Sequence, residues 1–149
     1  MIWETARVQQ GDRKETRFKV ITYPAIRIGD LPFEKINLAL GTELEAGEVW
    51  LSKIAHQHIA LDHAADYPFI MACLVEIVTG PLYVGQDPKH GDNFYLVKPL
   101  PAEAPNPHAL VAIGFQLNRF GSYNVRTAYS INQETVNQRR AANRLHIVI

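Results

Sequence analysis

Two runs decide the fold: Leu110-Val111-Ala112-Ile113-Gly114-Phe115-Gln116-Leu117 and Tyr123-Asn124-Val125-Arg126-Thr127-Ala128-Tyr129-Ser130-Ile131. Both are dense in β-branched and aromatic side chains, which suit a pleated, half-buried surface. Gly121-Ser122 between them suits a tight turn, so the pair reads as an antiparallel hairpin. Upstream, Leu82-Tyr83-Val84 and residues 93–98 read as two further strands. The stretch 99–107 carries four prolines in nine residues and reads as an exposed loop, because proline donates nothing to a sheet ladder. Gly85-Gln86-Asp87-Pro88 and His90-Gly91-Asp92 read as turns.

Toward the N-terminus the period lengthens. Residues 17–22 alternate polar and apolar and read as a strand before Pro24. A short helix is expected over 31–40, stopped by Gly41. Val49-Trp50-Leu51 reads as extended, and Ser52 as the N-cap of a helix reaching about Asp66. Pro68 opens a second helix over 69–78, with Gly80 as its stop. Beyond the hairpin, 132–144 reads as a polar helix and 145–149 as a returning strand. The resulting expectation is one α+β domain over 1–149. Its N-terminal helices pack on an antiparallel sheet of about four strands, with a C-terminal helix after it.

At 149 residues the chain is long enough for a sizeable core, and its hydrophobic fraction of 47% argues against disorder. No apolar run reaches about 18 residues, so no membrane span is expected. The opening residues lack the pattern of a secretory signal, so a cytoplasmic location is expected. The single cysteine, Cys73, excludes an internal disulfide and a Cys-rich zinc site. The net charge of zero conceals an asymmetry. Residues 1–114 hold ten basic and fourteen acidic side chains, whereas 115–149 hold Arg119, Arg126, Arg139, Arg140 and Arg144 against Glu134 alone. Guanidinium suits phosphate, so this segment reads either as a footprint for an anionic partner or as a solvated helix face.

Two concentrations of residues can carry chemistry. His56, His58 and His63 fall within eight residues, with Lys53 before them and Asp62 among them. Helical spacing puts His56 and His63 on the face of Lys53, and turns His58 toward Ile54, Leu61 and Ala65. No zinc site is expected, because H-x-H on a helix splays its ligands and no H-E-x-x-H is present. Histidine titrates near neutral pH, so the cluster points to acid–base work, with solvated or core-satisfied rings as the plain alternative. The second concentration is the 122–130 strand. There Tyr123, Val125, Thr127 and Tyr129 are expected on one face and Arg126 on the other unless a bulge re-aims it. Arg119 and Arg126 would supply positive charge to a phosphorane-like transition state.

Gly47-Glu48-Val49-Trp50-Leu51-Ser52, then His58-Ile59-Ala60-Leu61-Asp62-His63, then the run from Leu74 through Pro81-Leu82-Tyr83-Val84-Gly85 carry a resemblance. Over about residues 17–131 the chain resembles the phage-associated members of the barnase, EndoU, colicin E5/D and RelE group of nuclease domains. The resemblance implies helices followed by an antiparallel four-stranded sheet, and metal-independent RNA cleavage without a cofactor, often by toxins or phage effectors. By position it implies catalytic roles for His58, His63, Thr127 and Tyr129. Arg126 is added from its chemistry. Lys53, His56, Arg119 and Tyr123 are expected to bind substrate. In the expected mechanism His63 deprotonates a ribose 2′-hydroxyl, and His58 or Tyr129 protonates the leaving 5′-oxygen. Thr127 and Arg126 stabilise the pentavalent centre. The implied partners are RNA, with tRNA among the candidates, and an immunity or antitoxin protein. The proline-rich loop, the C-terminal helix and the neutral charge depart from a compact toxin. They keep a second expectation open, a non-catalytic interaction or phage-morphogenesis module retaining the nuclease-like fold.

Overall fold

Alternation along two central strands divides the molecule. Phe94 and Leu96 face one core while Tyr95 and Val97 face another, and Ala109, Val111 and Ile113 alternate in the same way with Leu110 and Ala112. A strand points successive side chains to opposite faces, so both faces of this sheet are buried. The computed structural model describes residues 2–9, 15–86, 89 and 91–149. Asp87, Pro88 and His90 of the expected turns lie outside the described residues.

In chain order the elements are β1 (Ile2–Gln9), β2 (Glu15–Thr22), β3 (Ile26–Asp30), α1 (Phe33–Leu40), β4 (Glu48–Leu51), α2 (Lys53–Asp62), α3 (Tyr67–Thr79), β5 (Tyr83–Gln86), β6 (Asn93–Pro99), β7 (His108–Gly114), β8 (Ser122–Ile131), α4 (Gln133–Ala141) and β9 (His146–Ile147). β1 and β2 form an antiparallel pair of their own. The other seven strands form one mixed sheet in the order β3-β4-β8-β7-β6-β5-β9.

The α+β class holds, and its layout is corrected. The expected four antiparallel strands are β5 to β8, and the hairpin β7–β8 forms with Gly121 in the left-handed region at φ 76°. Three strands extend this set. β9 pairs antiparallel with β5, and β4 joins β8 in parallel through Glu48, Val49 and Trp50 opposite Ser122, Tyr123 and Asn124. β3 pairs in turn with β4. Strands therefore precede the helices as well as follow them. Gly85 and Gln86, expected in a turn, continue β5.

Local signals explain the helix ends. Gly41 closes α1 at φ 69°, where glycine carries no Cβ penalty. The Ser52 hydroxyl accepts from the Ala55 amide to start α2, and Asn132 does the same from Thr135 to start α4. α2 stops at Asp62, short of the expected Asp66, because His63 leaves helical geometry at φ −127°. Helices α1, α2 and α3 bring Ile36, Ala55, Ile59, Ile70, Leu74, Ile77 and Val78 to one sheet face. On the other face α4 contributes Val136, packed with Tyr83, Tyr95, Leu110, Ile131 and Leu145. Gly85 belongs to this tight region, since an added Cβ would meet the Arg144 carbonyl oxygen at 2.3 Å.

Arg139 and Arg140 lie over the rings of Tyr95 and Tyr83, 5.1 and 4.9 Å from their centroids. Arg140 also donates to the Tyr83 hydroxyl at 3.2 Å. Two of the five C-terminal arginines are thus held against tyrosines of the sheet, where their stems pack and their charge meets a ring face.

Candidate active site at the open edge of β8

β4 pairs with β8 only from Ser122 to Asn124 while β8 runs on to Ile131, so on the side away from β7 the last part of β8 pairs with no strand among the described residues. α2 and the link to α3 take that place. The Asp66 carboxylate accepts the Ser130 amide at 2.9 Å and the Ser130 hydroxyl at 2.5 Å, and Asn106 donates to the same hydroxyl at 2.8 Å. A carboxylate substitutes for the missing strand, because a buried amide needs an acceptor. From the sequence Asp66 stands only as the expected end of the Ser52 helix, not as a site residue.

This seam brings four side chains together. His58 Nδ1 donates to Asp62 Oδ2 at 2.7 Å across one helical turn. The His58 and His63 rings meet edge to face, with centroids 5.6 Å apart. His63 in turn lies against Tyr129, centroids 5.4 Å apart and planes inclined by 30°. A line Asp62–His58–His63–Tyr129 therefore runs from α2 to β8. The carboxylate fixes the Nδ1–H tautomer of His58 and leaves Nε2 as its basic nitrogen.

A bulge settles the orientation of Arg126. Ala112 pairs with Thr127 and Ile113 with Val125, so Arg126 is the extra residue. Its side chain lies back over Gly114, where an added Cβ would stand 3.0 Å from Nε. Gly114 shares the alternation of Leu110 and Ala112, which places Arg126 on the same sheet face as Tyr129. Beyond the bulge the phase flips. Tyr123 and Val125 stay in the first core while Thr127 and Tyr129 move to the second face, a correction of the single face expected for all four.

The remaining expected site residues separate. His56 is fully buried; its Nδ1–H donates to the Pro24 carbonyl at 2.8 Å and Nε2 accepts from the Tyr67 hydroxyl at 2.6 Å. Both nitrogens serve the scaffold, which takes His56 out of the substrate-facing set. His63 does not share its face, because the helical progression has ended one residue before it. The His58 stripe, read as apolar, is the outer one, with Ile54 and Leu61 exposed beside it. The Thr127 hydroxyl is enclosed and has no partner among the described residues, so it is not presented to a phosphate. Tyr123 is buried, and its hydroxyl donates to the Glu45 carbonyl at 2.6 Å. Burial pushes the Tyr123 phenol pKa up. Its ring borders a cleft of about 720 Å³ between residues 41–45 and 115–117, on the other side of the sheet from Tyr129. Lys53 is exposed at the first turn of α2, and Arg119 is exposed over the Phe120 ring at 4.8 Å.

No group of three histidine, cysteine or carboxylate side chains suited to a metal occurs among the described residues, and no described helix is long and apolar enough to cross a membrane. Compared with known proteins, the chain matches no family model, no curated protein and no solved structure.

Proposed function

We propose that the protein is an endoribonuclease that cleaves RNA by transesterification without a metal. The observation that carries this reading is the Asp62–His58–His63–Tyr129 line, in which two imidazoles lie side by side and one is oriented by a carboxylate. Transesterification needs one group to take a proton and a second to give one, and histidine is a side chain that can do either.

The geometry favours His58 over His63 as the base. Nε2 of His58 takes the proton of a ribose 2′-hydroxyl, and that oxygen attacks the adjacent phosphorus. As the bond from phosphorus to the 5′-oxygen breaks, His63 gives that oxygen a proton. The products are a 2′,3′-cyclic phosphate and a 5′-hydroxyl. Tyr129 holds the His63 ring by its flank, and Asp62 holds the His58 ring by Nδ1. Arg126, three residues or about 10 Å along the strand from Tyr129, receives a neighbouring phosphate.

One observation favours a second reading, a binding module without catalysis. Arg139 and Arg140 are engaged by tyrosines, which leaves a modest cationic surface for nucleic acid. Incubation of the purified protein with end-labelled RNA in EDTA between pH 5 and 8 separates the two. Metal-independent cleavage to cyclic-phosphate ends is expected, and intact RNA across that range would leave only the binding module.

A further inference from the structure

On the sheet face that carries Arg126 and Tyr129, Val136 of α4 packs with residues of β5, β6, β7 and the Ile131 end of β8, while β4 and the start of β8 lie outside that cluster. Val49 and Leu51 point into the first core, so Glu48 and Trp50 point to this second face. Tyr123 and Val125 likewise leave Ser122 and Asn124 facing it. Here Trp50, Phe120, Asn118, Ser52 and Ser122 border a pocket of about 460 Å³. Its volume lies within the range of small-ligand sites.

The construction of the pocket suits one ligand chemistry. Phe120 is 77% exposed and belongs to neither core cluster. It is held out by its own turn, since the Asn118 side-chain carbonyl accepts from the amides of Phe120 and Ser122 at 2.9 and 3.1 Å. Asn118 Nδ2 donates one N–H to Asn124 Oδ1 at 3.4 Å, and its second N–H is the donor it has to offer. Arg119 stands over the Phe120 ring and brings a positive charge to the rim, while the Glu48 carboxylate is engaged by Arg27. Two aromatic walls, polar hydroxyl and amide groups and a cation at the mouth are what a flat heterocycle bearing a phosphate requires.

We infer that the Trp50–Phe120 pocket is a nucleobase subsite, which takes the base of a nucleotide flanking the one cleaved. The inference rests on the ribonuclease reading for the identity of its substrate. β8 connects the two places. It runs from Ser122 at the pocket, past the Arg126 bulge, to Tyr129 beside His63, about 20 Å on one sheet face and room for a few nucleotides. Ser52 ties the pocket to the start of the histidine helix, about 9 Å of helical rise before His58.

Tryptophan emission titrated with each of the four nucleoside monophosphates tests the subsite, with ribose 5-phosphate and N-acetyltyrosine amide as controls. Saturable quenching by the nucleotides is expected, with little from either control. Phe120→Ala should weaken nucleotide binding about 5- to 150-fold, the range of one lost base–aromatic stack. Phe120→Tyr should restore it, and the exposure of Phe120 leaves both variants folded. His58→Ala should bind nucleotides like the unaltered protein, which separates this claim from the fate of the cleavage reading. The subsite is overturned by any of four results: no quenching, equal quenching by ribose 5-phosphate, equal quenching by the tyrosine amide, or unchanged affinity in Phe120→Ala.

Discussion

The inner and outer sides of α2 carry the same residue type in opposite circumstances. On the inner side His56 is fully enclosed, one nitrogen donating to Pro24 and the other accepting from Tyr67, with Tyr23 edge-on at 5.3 Å. On the outer side His58 is about two-fifths exposed, has its Nδ1 held by Asp62 and faces His63. A histidine with both nitrogens bonded in the interior is a strut; one with a single nitrogen fixed by a carboxylate and its ring open to solvent can exchange a proton. Spacing along the sequence does not separate the two, because what differs is the partner each ring meets in the fold.

The sharpest way to break that comparison is substitution on each side. His58→Ala and His63→Ala should each lower RNA cleavage by about 10²–10⁴-fold, the worth of a general acid or base. Both lie outside the core, so melting should shift little. His56→Ala should do the reverse. Loss of two buried hydrogen bonds and a packed ring should destabilise the fold by about 3 kcal/mol, while cleavage per folded molecule is kept. Chemical denaturation alongside single-turnover kinetics reads both effects. A His56→Ala protein that stays stable but loses activity would reverse the assignment.

The arginines extend the contrast to the sheet face. Arg126→Ala should reduce the slope of RNA affinity against salt by about one unit, as expected for one lost phosphate contact. Arg139→Ala should leave that slope alone and cost about 1 kcal/mol of stability through the lost contact with Tyr95. Titrations of RNA binding at several salt concentrations distinguish the two.

The smallest effect concerns His108, which pairs with Ile131 at the end of β8. Burial pushes the pKa of His108 down from its usual 6.5, so the folded protein favours the neutral ring. The unfolded chain binds that proton more readily. The contribution of His108 is therefore complete above about pH 6.5 and is lost as pH falls through 6.5 toward the lower folded value. Denaturation midpoints measured at pH 7.5 and 5 should fall less in His108→Phe than in the unaltered protein.

Much of the local structure was legible because local chemistry wrote it. Ser52 and Asn132 cap their helices through their own side chains, Gly41 and Gly121 take positive φ, and the β5 to β8 meander follows runs of β-formers. The parallel pairing of β4 with β8 was not legible, since it joins residues more than seventy positions apart and β4 is only four residues long. The Arg126 bulge reversed which side chains share a face, a shift that strict alternation cannot express. Of the expected site, His58, His63 and Tyr129 come together, with Arg126 on the same sheet face as Tyr129. His56 and Tyr123 are absorbed into the interior, and the Thr127 hydroxyl is enclosed. Asp62 and Asp66 gained their roles only once α2 was placed against β8. The Trp50–Phe120 pocket needed Ala25, residues 48–52 and residues 118–122 to converge, and no spacing announced it.

The most direct test of the account is product chemistry on a dinucleoside monophosphate in EDTA, followed by phosphorus NMR. The account predicts a 2′,3′-cyclic phosphate from the ribose substrate, no reaction with its 2′-deoxy analogue, and loss of the cyclic product in His58→Ala. Equal cleavage of the deoxy analogue, or an undiminished rate in His58→Ala, would contradict it.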